Sequence, residues 1–308
     1  MNSLQALLIR AIRQRDKLST ITNAMRLVNG KGDGADGLLI DRFDKYIHIQ
    51  VLKEDWHKHL DAICGILTRT CPIDFLIVKT RRGLDVTGRI FIGSDPKTFV
   101  TEHGNKFEVD LNDGLNCGLF LDMRQNRRLV AQACRGKKVL NCFAYTCSFG
   151  VYARAHGAGE VINTDISRKS LERGEKNYKL NALTVGEGEF VKADSISFLQ
   201  RAFKKGNDFD MIILDPPSFA RYGTKVFQVK RDLPQIIASA VTVLKPGGRL
   251  LVTTNYSEIT HADLESFLAH GLKGRRVEHI QRVGQDEDFI GANGFKESYL
   301  VGLWVKFL

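Results

Sequence analysis

The stretch "LNCFAYTCSFGVYARAHGAGEVINTDIS", from Leu140 to Ser167, decides the fold. A short apolar run ends in a turn of small and aromatic residues. A segment of helical length follows, and a second apolar run ends at Asp165. Strand, helix and strand in this spacing make a β-α-β unit, whose strands run parallel because the helix carries the chain back along the sheet. The alternation continues downstream. KVLNCF, EVINTDI, GEFVKAD, FDMIILDPP and GRLLVTTN read as strands, and residues 148–156, 167–181, 195–205, 228–244 and 260–272 as helices. RRVEHIQRVG and SYLVGLWVKF close the chain as strands. The expected fold class is α/β, a Rossmann-like and mostly parallel sheet with helices on both faces.

Upstream the pattern differs. Leu4, Leu7, Leu8, Ile12 and Leu18 recur at roughly helical spacing, so the N-terminus reads as a helix. Residues 26–52 read as a glycine-rich loop and a hairpin turning at Asp44-Lys45, 54–69 as a helix and 74–80 as a strand. Loop and short strands run on to about 105. NKFEVDLNDGLNCGLFLD predicts two more short strands, and MRQNRRLVAQACRG a helix ending at Gly136. The expected organisation is a small α+β module over 1–105, a candidate for RNA contact, and the α/β domain over 106–308.

Composition narrows the function. The formal net charge of +10 favours a polyanionic partner, and six Lys/Arg against one Asp in residues 1–31 start that excess at the N-terminus. No apolar run reaches 18 residues and the N-terminus lacks a signal peptide's layout, so a cytoplasmic protein with no membrane partner is expected. Six cysteines occur, none in a C-x-x-C pair and none with zinc spacing, so reduced thiols and no metal are expected.

In open parallel sheets, ligands sit at the carboxyl ends of the strands. Here those ends carry Asn141-Cys142-Phe143-Ala144-Tyr145, Asp165-Ile166, Asp194 and Asp215-Pro216-Pro217. A carboxylate at Asp165 suits both hydroxyls of a ribose, or else caps the next helix. Asp194 suits an adenine amino group, or else caps the helix at 195. The first turn decides between cofactors. A dinucleotide needs G-x-G-x-x-G so that backbone can close on a pyrophosphate. This turn has one late glycine, Gly150, which argues against NAD and FAD and suits an adenosine without phosphates, as in S-adenosylmethionine. Asp215-Pro216-Pro217-Ser218-Phe219 fixes an extended turn lacking two backbone donors, with Phe219 available to stack on a base.

Four ordered segments carry a resemblance: "GLFLDMRQNRR" (118–128), "LNCFAYTCSFGVYA" (140–153), "TDISRKSLERGEKNYKLNAL" (164–183) and "DPPSF" (215–219). They look like the bacterial large-subunit rRNA methyltransferases, class I enzymes that use S-adenosylmethionine. "RLVNGKGDGADGLLIDRF" (26–43) resembles the α+β module that precedes the catalytic domain in that family. The resemblance implies a sheet with an antiparallel C-terminal strand, S-adenosylmethionine as cofactor and ribosomal RNA as partner. It implies cofactor contacts from Phe120, Arg124, Asn141, Phe143, Tyr145, Asp165, Ile166, Asp194 and Asp215, with Arg124 pairing the methionine carboxylate. Asp215, Pro216, Pro217 and Phe219 would form the target-base loop. Arg127 and Arg128 would serve RNA or cover the helix surface, with the surface favoured.

Three departures shape the substrate expectation. The PUA domain that begins many cytosine-C5 members is not matched, and Cys147 stands where a small Gly is usual. Cytosine-C5 members also carry a cysteine near the position of Asn255, within VTTNYS (252–257). C5 becomes nucleophilic only after a thiolate adds to C6, and this chain has no cysteine beyond 147. Guanine N7 carries an exposed lone pair and needs alignment alone. The guanine-N7 branch reads SNN where this chain reads TTN. The expected activity is methyl transfer to a ribosomal RNA base, with guanine N7 favoured. Cytosine C5, an exocyclic amine, a protein or small-molecule acceptor, and an RNA-binding protein without turnover stand as alternatives.

Overall fold

Buried apolar faces fix two separate cores, and in a computed structural model the chain divides around them. Residues 3–82, 85–114, 116–222, 225–292 and 299–308 are described. One compact unit comprises residues 1–124 and 286–298, the other 125–285 and 299–308. The boundary expected near 106 falls inside a paired strand, and the segment from 286 returns to the first unit, which local sequence periodicity does not reveal.

The first unit is built on a five-stranded sheet of β1 (Ala24–Asn29), β2 (Leu38–Phe43), β3 (Tyr46–Val51), β4 (Phe75–Arg82) and β5 (Asp85–Ile92), in that order. The β2–β3 turn lies at Asp44 (φ 59°), where the hairpin was expected. Helix α1 (Ser3–Arg13) and the crossover helix α2 (Leu60–Thr70) supply Leu8, Ile12, Ile63 and Leu67 to a core shared with Ile40, Ile47, Ile49 and Val78. The period of two along the strands sends the alternate side chains to the opposite face. There the register sets Arg26 beside Asp41 and Asp41 beside His48. Burial pushes the His48 imidazole down to about 3, so it is neutral. Lys79, also buried, donates to the Gly114 carbonyl. A hairpin of β6 (Lys97–Glu102) and β7 (Asn105–Asp110) completes the regular elements. Among the described residues of 105–122 the second expected strand does not form. Leu121–Met123 is a 3-10 turn instead.

Charge ties this unit together. Arg124 is fully buried and its Nη1 lies 3.2 Å from both Asp286 Oδ2 and Asp288 Oδ1. Its Nε lies 3.5 Å from Glu102 Oε2, and its Nη2 donates to the Ala24 carbonyl at 3.0 Å. Arg15 grips Asp33 with both terminal nitrogens, at 2.7 and 2.8 Å, and also donates to the Asp288 carbonyl. Arg26 pairs with Asp41. Two of the six N-terminal cations are therefore neutralised by internal carboxylates, and the basic excess read from 1–31 is only partly a surface property.

The second unit holds the seven-stranded sheet. Its strands are β8 (Lys138–Cys142), β9 (Glu160–Asp165), β10 (Phe190–Lys192), β11 (Phe209–Leu214), β14 (Leu244–Thr254), β15 (Val277–Gly284) and β16 (Val301–Phe307). Between β11 and β14 the chain inserts the antiparallel pair β12 (Phe219–Tyr222) and β13 (Lys225–Gln228), which the sequence reading did not anticipate. The order β10-β9-β8-β11-β14-β16-β15 is parallel except for β16, which runs antiparallel to both neighbours. Helices α3 (Arg124–Ala133), α4 (Ser148–Ala155), α5 (Arg168–Leu180), α6 (Ser195–Lys204), α7 (Val229–Thr242) and α8 (His261–Gly271) fall close to the expected positions. Ile212, Leu214, Leu250 and Val252 meet Leu233, Ile237 and Leu264 in the main core. Arg127 corrects the expectation of a surface role: it is fully buried, with its guanidinium 5.9 Å from the Tyr152 ring centre, whereas Arg128 is exposed. No helix among the described residues is long and apolar enough to cross a membrane.

Replacing Arg124 leaves its acidic partners buried without their cation, so Arg124→Met should destabilise the protein by about 3–5 kcal/mol in chemical denaturation. Burial pushes the Asp286 carboxyl up to about 6. Because folding raises this pKa, the folded chain holds the proton more tightly. The contribution of Asp286 is therefore complete below about pH 4 and lost as pH rises through 6. The slope of melting temperature against pH in that window should flatten in Asp286→Asn.

Candidate active site at the strand ends

The order of strands reverses between β8 and β11, so a crevice opens at their carboxyl ends. Asn141 lies in β8, fully buried, and its Nδ2 donates to Asn163 Oδ1 at 2.9 Å; Asn163 in turn donates to the Tyr178 hydroxyl at 3.0 Å. The turn after β8 then winds through three left-handed residues with side chains, Phe143 (φ 56°), Tyr145 (φ 48°) and Cys147 (φ 60°). Each costs on the order of 1 kcal/mol or more, and such strain persists only where the surroundings hold it. Here Asp165 holds it. Its Oδ2 accepts from the Tyr145 N–H at 2.9 Å, and its Oδ1 from the Ser167 N–H at 2.8 Å. Burial raises the Asp165 pKa, and these backbone donors oppose the rise.

The late glycine packs a helix rather than cradling a phosphate. A Cβ on Gly150 would stand 2.3 Å from Asn163 Oδ1 and 2.8 Å from the Tyr178 hydroxyl, so α4 approaches β9 and α5 closely only because the side chain is absent. Cys147 has a compensating partner in α5. A Cβ on Gly174 would stand 2.4 Å from Cys147 Sγ, so the thiol occupies the space that Gly174 leaves. All six cysteines are free and buried. Burial pushes the Cys142 thiol up to about 12 and raises that of Cys147 well above the ordinary range. Neither is a thiolate.

Asp194 caps α6: its Oδ2 accepts from the Ser197 N–H at 2.9 Å and the Ser197 hydroxyl at 2.7 Å. Among the described residues its Oδ1 has no hydrogen-bond partner. Ile166, beside Asp165, is half-buried. At the end of β11, Asp215 Oδ1 accepts from the Thr253 hydroxyl at 2.7 Å. Pro216 is buried, Pro217 exposed, and Phe219 is 55% exposed at the start of β12. The Ser218 hydroxyl donates to Asn255 Oδ1 at 2.8 Å. Phe227 of β13 lies 5.7 Å from Phe143, centre to centre, so the inserted pair touches the first turn.

The second unit thus brings together Asn141, Phe143, Tyr145, Asp165, Asp194, Asp215 and Phe219. Phe120 and Arg124 belong to the first unit, where Arg124 directs its donors to Glu102, Asp286, Asp288 and Ala24 in place of the expected carboxylate of a methionine. Thr253 and Phe227 were missed by sequence reasoning. The alternation Thr253, Asn255 on one strand end was the available signal. No cluster of metal-ligating side chains occurs among the described residues.

The donor set fits an adenosine. An ionised carboxylate accepts about four hydrogen bonds, so Asp165 keeps capacity for a ribose hydroxyl beyond its backbone donors, and Asp194 for an exocyclic amine. Glycine backbone open to a pyrophosphate is lacking here.

Comparison with known proteins agrees. Residues 64–294 match the family described as S-adenosylmethionine-dependent methyltransferase. The chain is 32% identical over 284 residues to a protein of Photobacterium profundum named Ribosomal RNA large subunit methyltransferase I, covering 89% of this chain and 72% of that one. A protein of the same name from Tolumonas auensis is 34% identical over 296 residues, covering 92% and 75%. Among solved structures, a protein assigned as a methyltransferase and crystallised with S-adenosylhomocysteine superposes with a TM-score of 0.89 at 25% identity, covering 98% of this chain and 80% of that one.

The fit of Cys147 against Gly174 gives a double-substitution test. Gly174→Ala should destabilise the protein by about 1–3 kcal/mol. Adding Cys147→Gly, which removes both the thiol and a left-handed side chain, should recover most of that loss in thermal unfolding.

Proposed function

The chain belongs to the S-adenosylmethionine-dependent methyltransferase family, and we propose that its acceptor is a base of large-subunit ribosomal RNA, methylated at guanine N7. The names of the relatives support the RNA, and the net charge of +10 fits a polyanion. The choice of atom rests on one observation. The side chain that meets Ser218 just beyond β14 is the amide of Asn255, and all six cysteines are buried, with burial raising the thiol pKa of Cys64, Cys71, Cys134, Cys142 and Cys147. Without an exposed thiolate at the loop, the addition at C6 that cytosine-C5 transfer requires lacks its nucleophile. N7 needs only alignment.

S-adenosylmethionine supplies, when bound, an electrophilic methyl carbon on a sulfonium whose sulfur keeps the bond pair as N7 takes the methyl. Asp165 with Ile166 would hold the ribose, Asp194 the adenine amine, and the Asn141–Tyr145 turn, with Phe143, would line the floor. Asp215, Pro216 and Pro217 would orient the base, and Phe219 would stack on it once it leaves the helix. No proton leaves the base, so the site requires no general base. Its contribution is to hold N7 in line and exclude water.

Nucleosides from the rRNA of a strain lacking the gene, compared with wild type by mass spectrometry, test this. Loss of 7-methylguanosine with 5-methylcytidine intact is the expected result. Loss of 5-methylcytidine would move the acceptor to cytosine C5, and unchanged rRNA would move it to protein, small molecule or another RNA. In vitro, Asp165→Ala should raise the KM for S-adenosylmethionine about tenfold to hundredfold, as expected for loss of hydrogen bonds to a charged group, with little change in RNA binding by filter retention.

A further inference from the structure

Helix α6 has an outer face that neither the core nor the strand-end crevice uses. Its inner face buries Leu199 and Ala202 in the main core. On the other side Gln200, Arg201, Phe203 and Lys204 are exposed, and Lys205, exposed as well, ends the helix. Residues three and four apart on a helix are neighbours. Gln200, Phe203 and Lys204 therefore form one stripe, and Arg201, Lys204 and Lys205 form the stripe beside it. Phe203 is 61% exposed, more than any other large apolar side chain among the described residues.

The three cations are not consumed by the fold. No Asp or Glu occurs between Asp194 and Asp208, and none of Arg201, Lys204 and Lys205 has a carboxylate partner among the described residues. Nor do their side chains cap the helix. The carbonyls of Arg201, Ala202 and Phe203 already accept from the backbone N–H groups of Lys205, Asn207 and Gly206. Asn207 Oδ1 in turn accepts from Lys138 Nζ at 2.7 Å, which ties the helix end to the start of β8. The helix dipole favours cations at this end, but it gives no reason for an aromatic ring among them. A lone exposed Phe is ordinary. Set beside three unpaired cations on a fixed helix, it completes the combination that binds single-stranded nucleic acid, in which cations track phosphates and a ring stacks on a base. One ring is too little apolar surface to hold a membrane.

The helix also sets where this RNA would lie. It begins at Asp194, the candidate adenine ligand, and its cations follow about 10–16 Å along the axis at the usual rise per residue. The occupant is therefore not the target base. We propose that the outer face of α6 docks a single-stranded RNA segment that flanks the target, with Arg201, Lys204 and Lys205 on its phosphates and Phe203 stacked on one of its bases. This rests on the ribosomal RNA reading above and holds whichever atom is methylated.

The test uses the full chain and large-subunit rRNA purified from a strain lacking the gene, with binding followed by filter retention between about 50 and 200 mM salt. A triple variant, Arg201→Gln with Lys204→Gln and Lys205→Gln, should raise the Kd about tenfold to hundredfold. It should also flatten the slope of log affinity against log salt by about 2, since each phosphate contact on a single strand contributes about 0.7. Phe203→Ala should raise the Kd about fivefold to hundredfold with the wild-type slope, and Phe203→Trp should return it to the wild-type value. The KM for S-adenosylmethionine and the melting temperature should match wild type in every variant, which separates docking from damage to the fold or the cofactor site. Wild-type Kd and slope in the triple variant, with the wild-type chain binding and methylating the RNA, would overturn the docking face and leave the ribosomal RNA reading intact. A flattened slope in the triple variant with no effect of Phe203→Ala would overturn the single-strand assignment. If the wild-type chain neither retains nor methylates this RNA, the ribosomal RNA reading fails and the docking face fails with it.

Discussion

A buried guanidinium must find anions, and the Arg124 site shows how much architecture that demand organises. Arg124 stands at the last position of the first unit's leading segment. Its partners come from β6 and from a segment more than 150 residues later in the chain. Desolvating this charge is costly unless all of those carboxylates arrive. The chain therefore leaves the first unit, builds the second, returns to place Asp286 and Asp288, and leaves again. Arg15 and Arg26 use the same returning segment, the first through the Asp288 carbonyl and the second through its own N–H to Asp288 Oδ2. The arginines held inside a unit in this way are unavailable to a nucleic acid, but their carboxylates are buried with them, so the basic excess lies in the remaining charges.

The strand ends are held by a different logic. Asp165 is a backbone clamp as well as a candidate ribose ligand, because the turn it secures contains three left-handed residues with side chains. A glycine turn would adopt that path without strain but would also be loose. Phe143 and Tyr145 bring aromatic surface to the crevice floor, and the contact of Phe143 with Phe227 carries the turn's position over to the pair of strands beyond the proline loop. The turn after β8 and the strands beyond the proline loop are thus joined by packing as well as by the sheet.

Much of this was legible in the sequence. Alternating apolar runs and helical segments fixed the seven-stranded sheet, since each buried strand and each amphipathic helix leaves its own period. Strand-end carboxylates at 165, 194 and 215 were visible because polar residues that close apolar runs stand out. What stayed hidden shares one cause: it depends on partners distant in the chain. Arg124 reads as a ligand for a carboxylate, which it is, yet nothing nearby says that the carboxylates are Glu102, Asp286 and Asp288. Arg127 reads as surface because arginine usually is, and only the Tyr152 ring beside it explains its burial. The β12–β13 pair lacks strong alternation, and the left-handed turn uses residues that rarely mark one.

The packing of Cys147 into the space beside Gly174 sets the order in which the two positions can change. A chain with glycine at both positions can acquire the cysteine at once, because the room already exists. A chain that already holds the cysteine cannot acquire a side chain at 174 without first losing it, since Sγ would meet the new Cβ at 2.4 Å. The two sites are coupled by contact, so the order of substitutions is constrained by packing. At this corner of α5 the thiol, for as long as it is present, keeps its neighbour a glycine.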